Sequence, residues 1–105
     1  MTMKNTLRMA LIGAAIATPL LAAANEALLN KYACVACHQA QQKVVGPSWK
    51  QVSDKYRDGS KTADQLAARI RSGGSGTWGA MPMPAQPQVS DADLQALATW
   101  ILSFK

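Results

Sequence analysis

Five consecutive residues, Cys34-Val35-Ala36-Cys37-His38, constrain this chain more than any other feature. They hold both of its cysteines and its one histidine. Cys-x-x-Cys-His is the attachment signal for a c-type haem. Two thiols three positions apart add to the two vinyl groups of one porphyrin, and the adjacent histidine then lies beneath the iron as an axial ligand. A chain that carries this motif folds around its cofactor.

Other uses of the same residues fit poorly. A thioredoxin-like redox pair also reads Cys-x-x-Cys, but it belongs in a βαβ context, and no strand-like run surrounds Cys34. A structural zinc site needs about four ligands, and a fourth soft ligand is missing. A disulfide between Cys34 and Cys37 leaves His38 without a task. Haem c, one per chain with its iron, is therefore the expected cofactor.

Residues 1–24 read as an export signal. Lys4 and Arg8 make a basic start, residues 9–21 form an uncharged and largely apolar stretch, and Ala22-Ala23-Ala24 is a small-residue cleavage site. A retained membrane anchor is disfavoured, because a spanning helix needs about 20 apolar residues and Pro19 interrupts this stretch. No cysteine stands beside the cleavage site to take a lipid. The expected product is residues 25–105, one monohaem domain without a membrane anchor, released into the periplasm, where c-type haem is normally attached.

So short a domain buries a modest fraction of its surface and usually requires a staple, which a covalent haem would supply. Lys4 and Arg8 are two of the eleven basic residues, against six acidic ones, so residues 25–105 carry +3 rather than the +5 of the whole chain. Two ionised propionates would lower the total to about +1. Lysines and arginines are scattered, without a dense run, which argues against nucleic-acid binding.

The periodicity is helical throughout. Asn25 can cap a first helix, with Glu26 near its positive end and Leu28, Leu29 and Tyr32 at one-turn spacing. Residues 39–47 read as a loop. Trp49, Val52 and Tyr56 lie at i, i+3 and i+7 and predict a short second helix, broken by Asp58-Gly59-Ser60. Thr62-Ala63-Asp64-Gln65 matches a capping box, with Leu66 and Ile70 as the inner face of the following helix and Gly73-Gly74 as its stop. Residues 72–88, rich in Gly and Pro, should be irregular. Ser90 starts a last helix whose stripe Leu94, Leu97 and Ile101, with Trp100 beside it, most simply packs on the first. Gly73-Gly74-Ser75-Gly76 lacks the spacing and lysine of a phosphate loop; these glycines let the chain turn and approach a flat cofactor closely.

His38 being the only histidine, two histidine ligands within one chain are excluded. Beyond the export signal the thioethers are Met81 and Met83, in Met81-Pro82-Met83-Pro84 after Trp78-Gly79-Ala80. A buried methionine is usually core filler, but a polar, irregular loop seldom sets two between prolines for packing alone. His/Met ligation raises the reduction potential and suits electron transfer. Spacing alone does not choose between Met81 and Met83.

Residues 26–105 resemble the short bacterial class I cytochromes c, of the cytochrome c-551 kind. The resemblance rests on the haem motif, Val45-Gly46-Pro47, Leu66-Ala67-Ala68-Arg69-Ile70, Gly76-Thr77-Trp78-Gly79, Pro82-Met83-Pro84, Val89-Ser90-Asp91 and Trp100-Ile101-Leu102-Ser103. It implies an all-α class I cytochrome c fold, about four short helices wrapped around one covalently bound haem. It also implies that Met83, flanked by prolines, is the iron ligand opposite His38, that the Pro47 carbonyl accepts the histidine Nδ1–H, and that Arg69 and Trp78 hydrogen-bond a haem propionate. The chain departs from the family after Pro84. Ala85-Gln86-Pro87-Gln88 replaces the usual proline and asparagine, with one additional residue before Val89.

The expectation is a monomeric, diffusible electron carrier, not an enzyme, since both axial positions would be filled by protein. It would pass single electrons between periplasmic redox proteins such as oxidases, reductases or dehydrogenases, through transient contacts at the haem edge. An alternative is a haem subunit held permanently in a periplasmic oxidoreductase complex, which should show a large apolar interface. A gas-binding or peroxidase domain would need an open iron position.

Overall fold

A computed structural model of the chain describes residues 18–105, with side-chain surroundings from residue 25 onward. The expected export signal therefore lies outside the described residues, apart from the helical backbone of 18–24. The element order is α1 (Thr18–Lys31), a single 3-10 turn (Cys34–Ala36), α2 (Trp49–Lys55), α3 (Ala63–Ser72) and α4 (Asp91–Ser103). Among the described residues there is no strand, only two isolated bridges, His38 with Lys43 and Gly74 with Met83.

Local signals explain the starts of α2, α3 and α4. Ser48 caps α2 and Thr62 caps α3 through reciprocal capping boxes with Gln51 and Gln65, so each N-terminus satisfies two otherwise orphaned N–H groups. Ser90 caps α4, its hydroxyl accepting from the Asp93 N–H at 3.1 Å. The cap expected at Asn25 is not seen: Asn25 lies inside α1, whose described part reaches back to Thr18.

Helix α4 is the centre of the packing. It presents Leu94, Leu97, Ala98 and Ile101, all buried and on one face. It packs on α1, as expected from the sequence, but also on α2 and most extensively on α3. The core adds Leu29 from α1, Trp49 and Val52 from α2, Leu66 and Ala67 from α3, and Val89. Ile70, expected to share the inner face of α3, is half-buried, while Ala67 is fully enclosed. Burying side chains of this size contributes about 1.5–3 kcal/mol each for the larger ones, and among the described residues this small core leaves five large apolar side chains exposed: Val35, Val44, Val45, Trp78 and Met81. All five lie on the connections that also carry the haem motif and the methionines.

Candidate haem-binding site

The chain leaves α1 through Ala33, whose backbone is left-handed at φ 58°. That turn starts the 3-10 segment on which both cysteines are mounted, and the Cys37 and His38 amides both donate to the Cys34 carbonyl, at 3.1 and 3.0 Å. The single tight turn sets the two thiols and the imidazole close together. Cys34 and Cys37 are half-buried and form no disulfide with each other. Burial pushes the Cys34 thiol above its usual range.

His38 is fastened from three directions. Its Nδ1 lies 2.7 Å from the Pro47 carbonyl oxygen. A carbonyl only accepts, so Nδ1 must carry the proton and Nε2 keeps its lone pair for a metal. The ring stacks on Trp49, with centroids 4.7 Å apart and planes 25° from parallel. Trp49 in turn meets Trp100 edge-on, and Trp100 meets Phe104, so the imidazole rests on an aromatic row reaching the end of α4. The third fastening is Gly46: a Cβ built there would lie 2.5 Å from His38 Cε1, so only glycine lets the backbone pass this close.

A second group of predicted residues meets beyond α3. The Gly74 and Met83 backbones exchange two hydrogen bonds of 2.9 Å each. Gly73 has φ 64°, and a Cβ there would run into the Met83 carbonyl, so this close approach also demands glycine. Arg69 folds over Gly74 and donates from Nη2 to the Ser75 carbonyl at 3.2 Å. Trp78 stands at the surface with the Lys55 ammonium 5.6 Å from its ring centroid, a cation–π distance. Met83 is half-buried, whereas Met81 is 69 % exposed.

Sequence reasoning missed Gly46 as a histidine contact, Trp49 as its stacking partner and Lys55 beside Trp78. It also missed the Ser48 capping box, although the Ser-x-x-Gln signal was present. The residues that are found fit a covalent haem. Two free thiols and a histidine with an available Nε2 share one turn, and large apolar side chains line the loops around them.

Residues 22–105 match the sequence model of the family described as Cytochrome c. The chain belongs to the cytochrome c family. It is 50 % identical over 84 residues to cytochrome c-552 of Nitrosomonas europaea, covering 80 % of this chain and 82 % of that one. Cytochrome c-552 of Hydrogenobacter thermophilus is 45 % identical over 103 residues, 98 % of this chain and all of the relative. Cytochrome c-551 of Azotobacter vinelandii is 48 % identical over 80 residues, 76 % of this chain and 96 % of that one. The crystal structure of the wild-type Nitrosomonas europaea cytochrome c552 superposes with a TM-score of 0.72 over 76 % of this chain and 99 % of its own. This small class I c-type cytochrome thus has the all-α fold expected, and it carries covalently attached haem c, with its iron, at Cys34 and Cys37. As a cytochrome c it is an electron carrier that hands electrons to redox partners, and not an enzyme. No described helix is long and apolar enough to cross a membrane.

Proposed function

We propose that this cytochrome shuttles single electrons between respiratory or dehydrogenase partners in the periplasm, with His38 and Met83 as the axial ligands of its iron. The haem supplies the one-electron ferric–ferrous couple. The protein's residues hold it, set its potential and keep other ligands away. His38 offers Nε2 because its Nδ1 proton is committed to Pro47, a hydrogen bond that orients the ring and raises its basicity. Arg69 and Trp78 are assigned to the propionates, with the Lys55 ammonium beside Trp78 adding positive charge there.

The observation that carries this reading is the difference between the two methionines. Met83 is half-buried, flanked by two prolines that each fix φ, and pinned to Gly74 by two backbone hydrogen bonds. Its backbone therefore has little conformational freedom to lose on ligation, and only the side-chain torsions remain to be fixed. Met81 stands out into solvent, as do Val35, Val44 and Val45, and by resemblance these join Ala36, Pro82 and Pro84 in an apolar rim suited to brief docking. Redox encounters of this kind are typically small and transient. Export fits the basic start, apolar stretch and small-residue cleavage site of residues 1–24.

The test compares two variants of the haem-loaded protein. Met83→Ala should abolish the weak far-red sulfur-to-ferric-iron band, lower the potential and let the reduced iron bind carbon monoxide. Met81→Leu, a near volume-conserving swap, should leave all three close to wild type. The reverse pattern would transfer the ligand role to Met81. An unchanged spectrum in both would remove the His/Met reading.

A further inference from the structure

The segment that follows Met83 differs from the family pattern, and in this chain it is gathered around one side chain, Arg71 of α3. The Arg71 guanidinium donates from Nη1 to the Val89 carbonyl at 2.8 Å and the Pro87 carbonyl at 3.3 Å, with the Gln86 carbonyl at 3.5 Å. Nη2 meets the Asp91 carboxylate at 2.6 Å. The Arg71 backbone joins in as well, its carbonyl accepting from the Gln86 N–H at 3.0 Å. Three residues further on, Gly74 holds Met83 itself. The loop carrying Met83 is thus tied at two points near the end of α3, at Met83 before the altered residues 85–88 and at Gln86 to Val89 within and just after them.

The carbonyl contacts matter more than the ion pair. The Asp91 carboxylate is 99 % exposed and the Arg71 side chain 34 %, and exposed pairs of charges contribute little. Hydrogen bonds from a charged donor are the stronger kind, and two of these three, to the Gln86 and Val89 carbonyls, are partly buried. The planar fork of arginine holds its donors in fixed directions toward several acceptors, whereas the lysine ammonium is a point charge on a flexible stem.

We propose that Arg71 is a positioning residue for the Met83 ligand: by holding 86–89 against α3 it limits how readily the Met83 sulfur leaves the iron. This rests on Met83 being the ligand. The polar fork does for this loop what a well-packed proline-rich turn could do without it, and it is needed here because Ala85 and Gln88 are exposed and bury nothing.

Imidazole binding to the ferric holoprotein reads this directly, since one iron–nitrogen bond forms as the iron–sulfur bond breaks, with no change of oxidation state. Arg71→Gln should bind imidazole about tenfold faster than wild type, the factor expected from losing charge-assisted hydrogen bonds, and should weaken the far-red band. Arg71→Lys, which keeps the charge but not the fork, should fall between the two, and Asp91→Asn should stay near wild type. If Arg71→Gln loses thermal stability but takes up imidazole at the wild-type rate, Arg71 is structural only and the proposal is overturned. If Arg71→Gln does not retain a folded holoprotein, a wild-type rate for Arg71→Lys overturns it equally. Met83→Ala, measured alongside, separates the two levels of the argument. An intact far-red band in that variant would remove the ligand assignment itself, whereas a lost band with an unresponsive Arg71→Gln would remove only the role of Arg71.

Discussion

Trp49 and His38 lie ring against ring, 4.7 Å between centroids, while the His38 Nδ1–H points at the carbonyl of Pro47, two residues before the tryptophan. One short stretch, 46–49, therefore fixes both the plane and the tautomer of the imidazole. Because Pro47 acts through its backbone oxygen, Pro47→Ala keeps the acceptor. It should cost only about 0.5–1 kcal/mol of stability and leave the reduction potential nearly unchanged. Gly46→Ala forces a Cβ against His38 Cε1 and should cost about 1–3 kcal/mol, with a clear change in potential. Thermal unfolding and redox titration of both variants check this; equal effects would mean that the close approach at Gly46 is not a constraint.

Helices α1 and α4 are clasped by Tyr32, whose hydroxyl donates to the Asp93 carboxylate at 2.5 Å, with Lys31 at 3.7 Å from the same oxygen. The Tyr32 hydrogen bond, helped by Ser90 and Lys31, holds the Asp93 carboxyl below its ordinary value of 3.8. A carboxyl depressed by folding stabilises the fold above its unfolded value and loses that contribution as pH falls through the folded one. The contact should therefore persist down to about pH 4 and loosen below it. Hydrogen exchange of the α1 amides should accelerate in that acid range in wild type, and Asp93→Asn should flatten the response. The same acid dependence in Asp93→Asn would locate the titration elsewhere.

Ala33 holds a left-handed backbone, φ 58° and ψ 26°, immediately before the first haem cysteine. A side chain in that region costs about 1–2 kcal/mol, which glycine avoids at some expense in unfolded-state entropy. Ala33→Gly should raise stability by about 1 kcal/mol, or roughly 5 °C in unfolding midpoint for a domain of this size. An unchanged or lower midpoint in the haem-loaded protein would show that the turn carries no strain.

Lys43 is exposed and bridges to the His38 backbone, next to the apolar Val44 and Val45. As the cation adjacent in sequence to Val44 and Val45, it is expected to steer an acidic redox partner. Charges at such a rim act mainly on association rate and are screened by salt. Lys43→Glu should slow electron transfer to an acidic partner severalfold at low ionic strength and converge with wild type at high salt, with the potential nearly unchanged. Stopped-flow rates that do not respond at any ionic strength would place Lys43 outside the docking surface.

Much of the fold could be read residue by residue. Thr62 with Gln65, the Ser90 cap and the Gly73 stop put α3 and α4 within a residue or so of where they lie, because these signals act over one helical turn and do not depend on the rest of the molecule. Asn25 shows the converse: a cap exists only where a helix ends, and the described part of α1 runs on through Asn25 to Thr18. Ile70 packs against the core but stays half-buried, whereas Ala67 is buried, because helical periodicity gives a face while the neighbour that covers each position comes from another part of the chain.

By itself the sequence determined the chemistry. Two cysteines and one histidine at that spacing demand covalent haem, and the helical patterning around them leaves no other fold class, since both demands are local and survive any arrangement of the helices. Only the tertiary structure decided what surrounds that chemistry. It brought Gly46 and Trp49 against His38, joined Gly74 to Met83, wrapped 86–89 around Arg71, and made α4 rather than α1 the centre of the core. These are contacts between parts of the chain brought together by packing, so they follow from how the helices and loops come to lie against one another and leave no periodic trace in the order of residues.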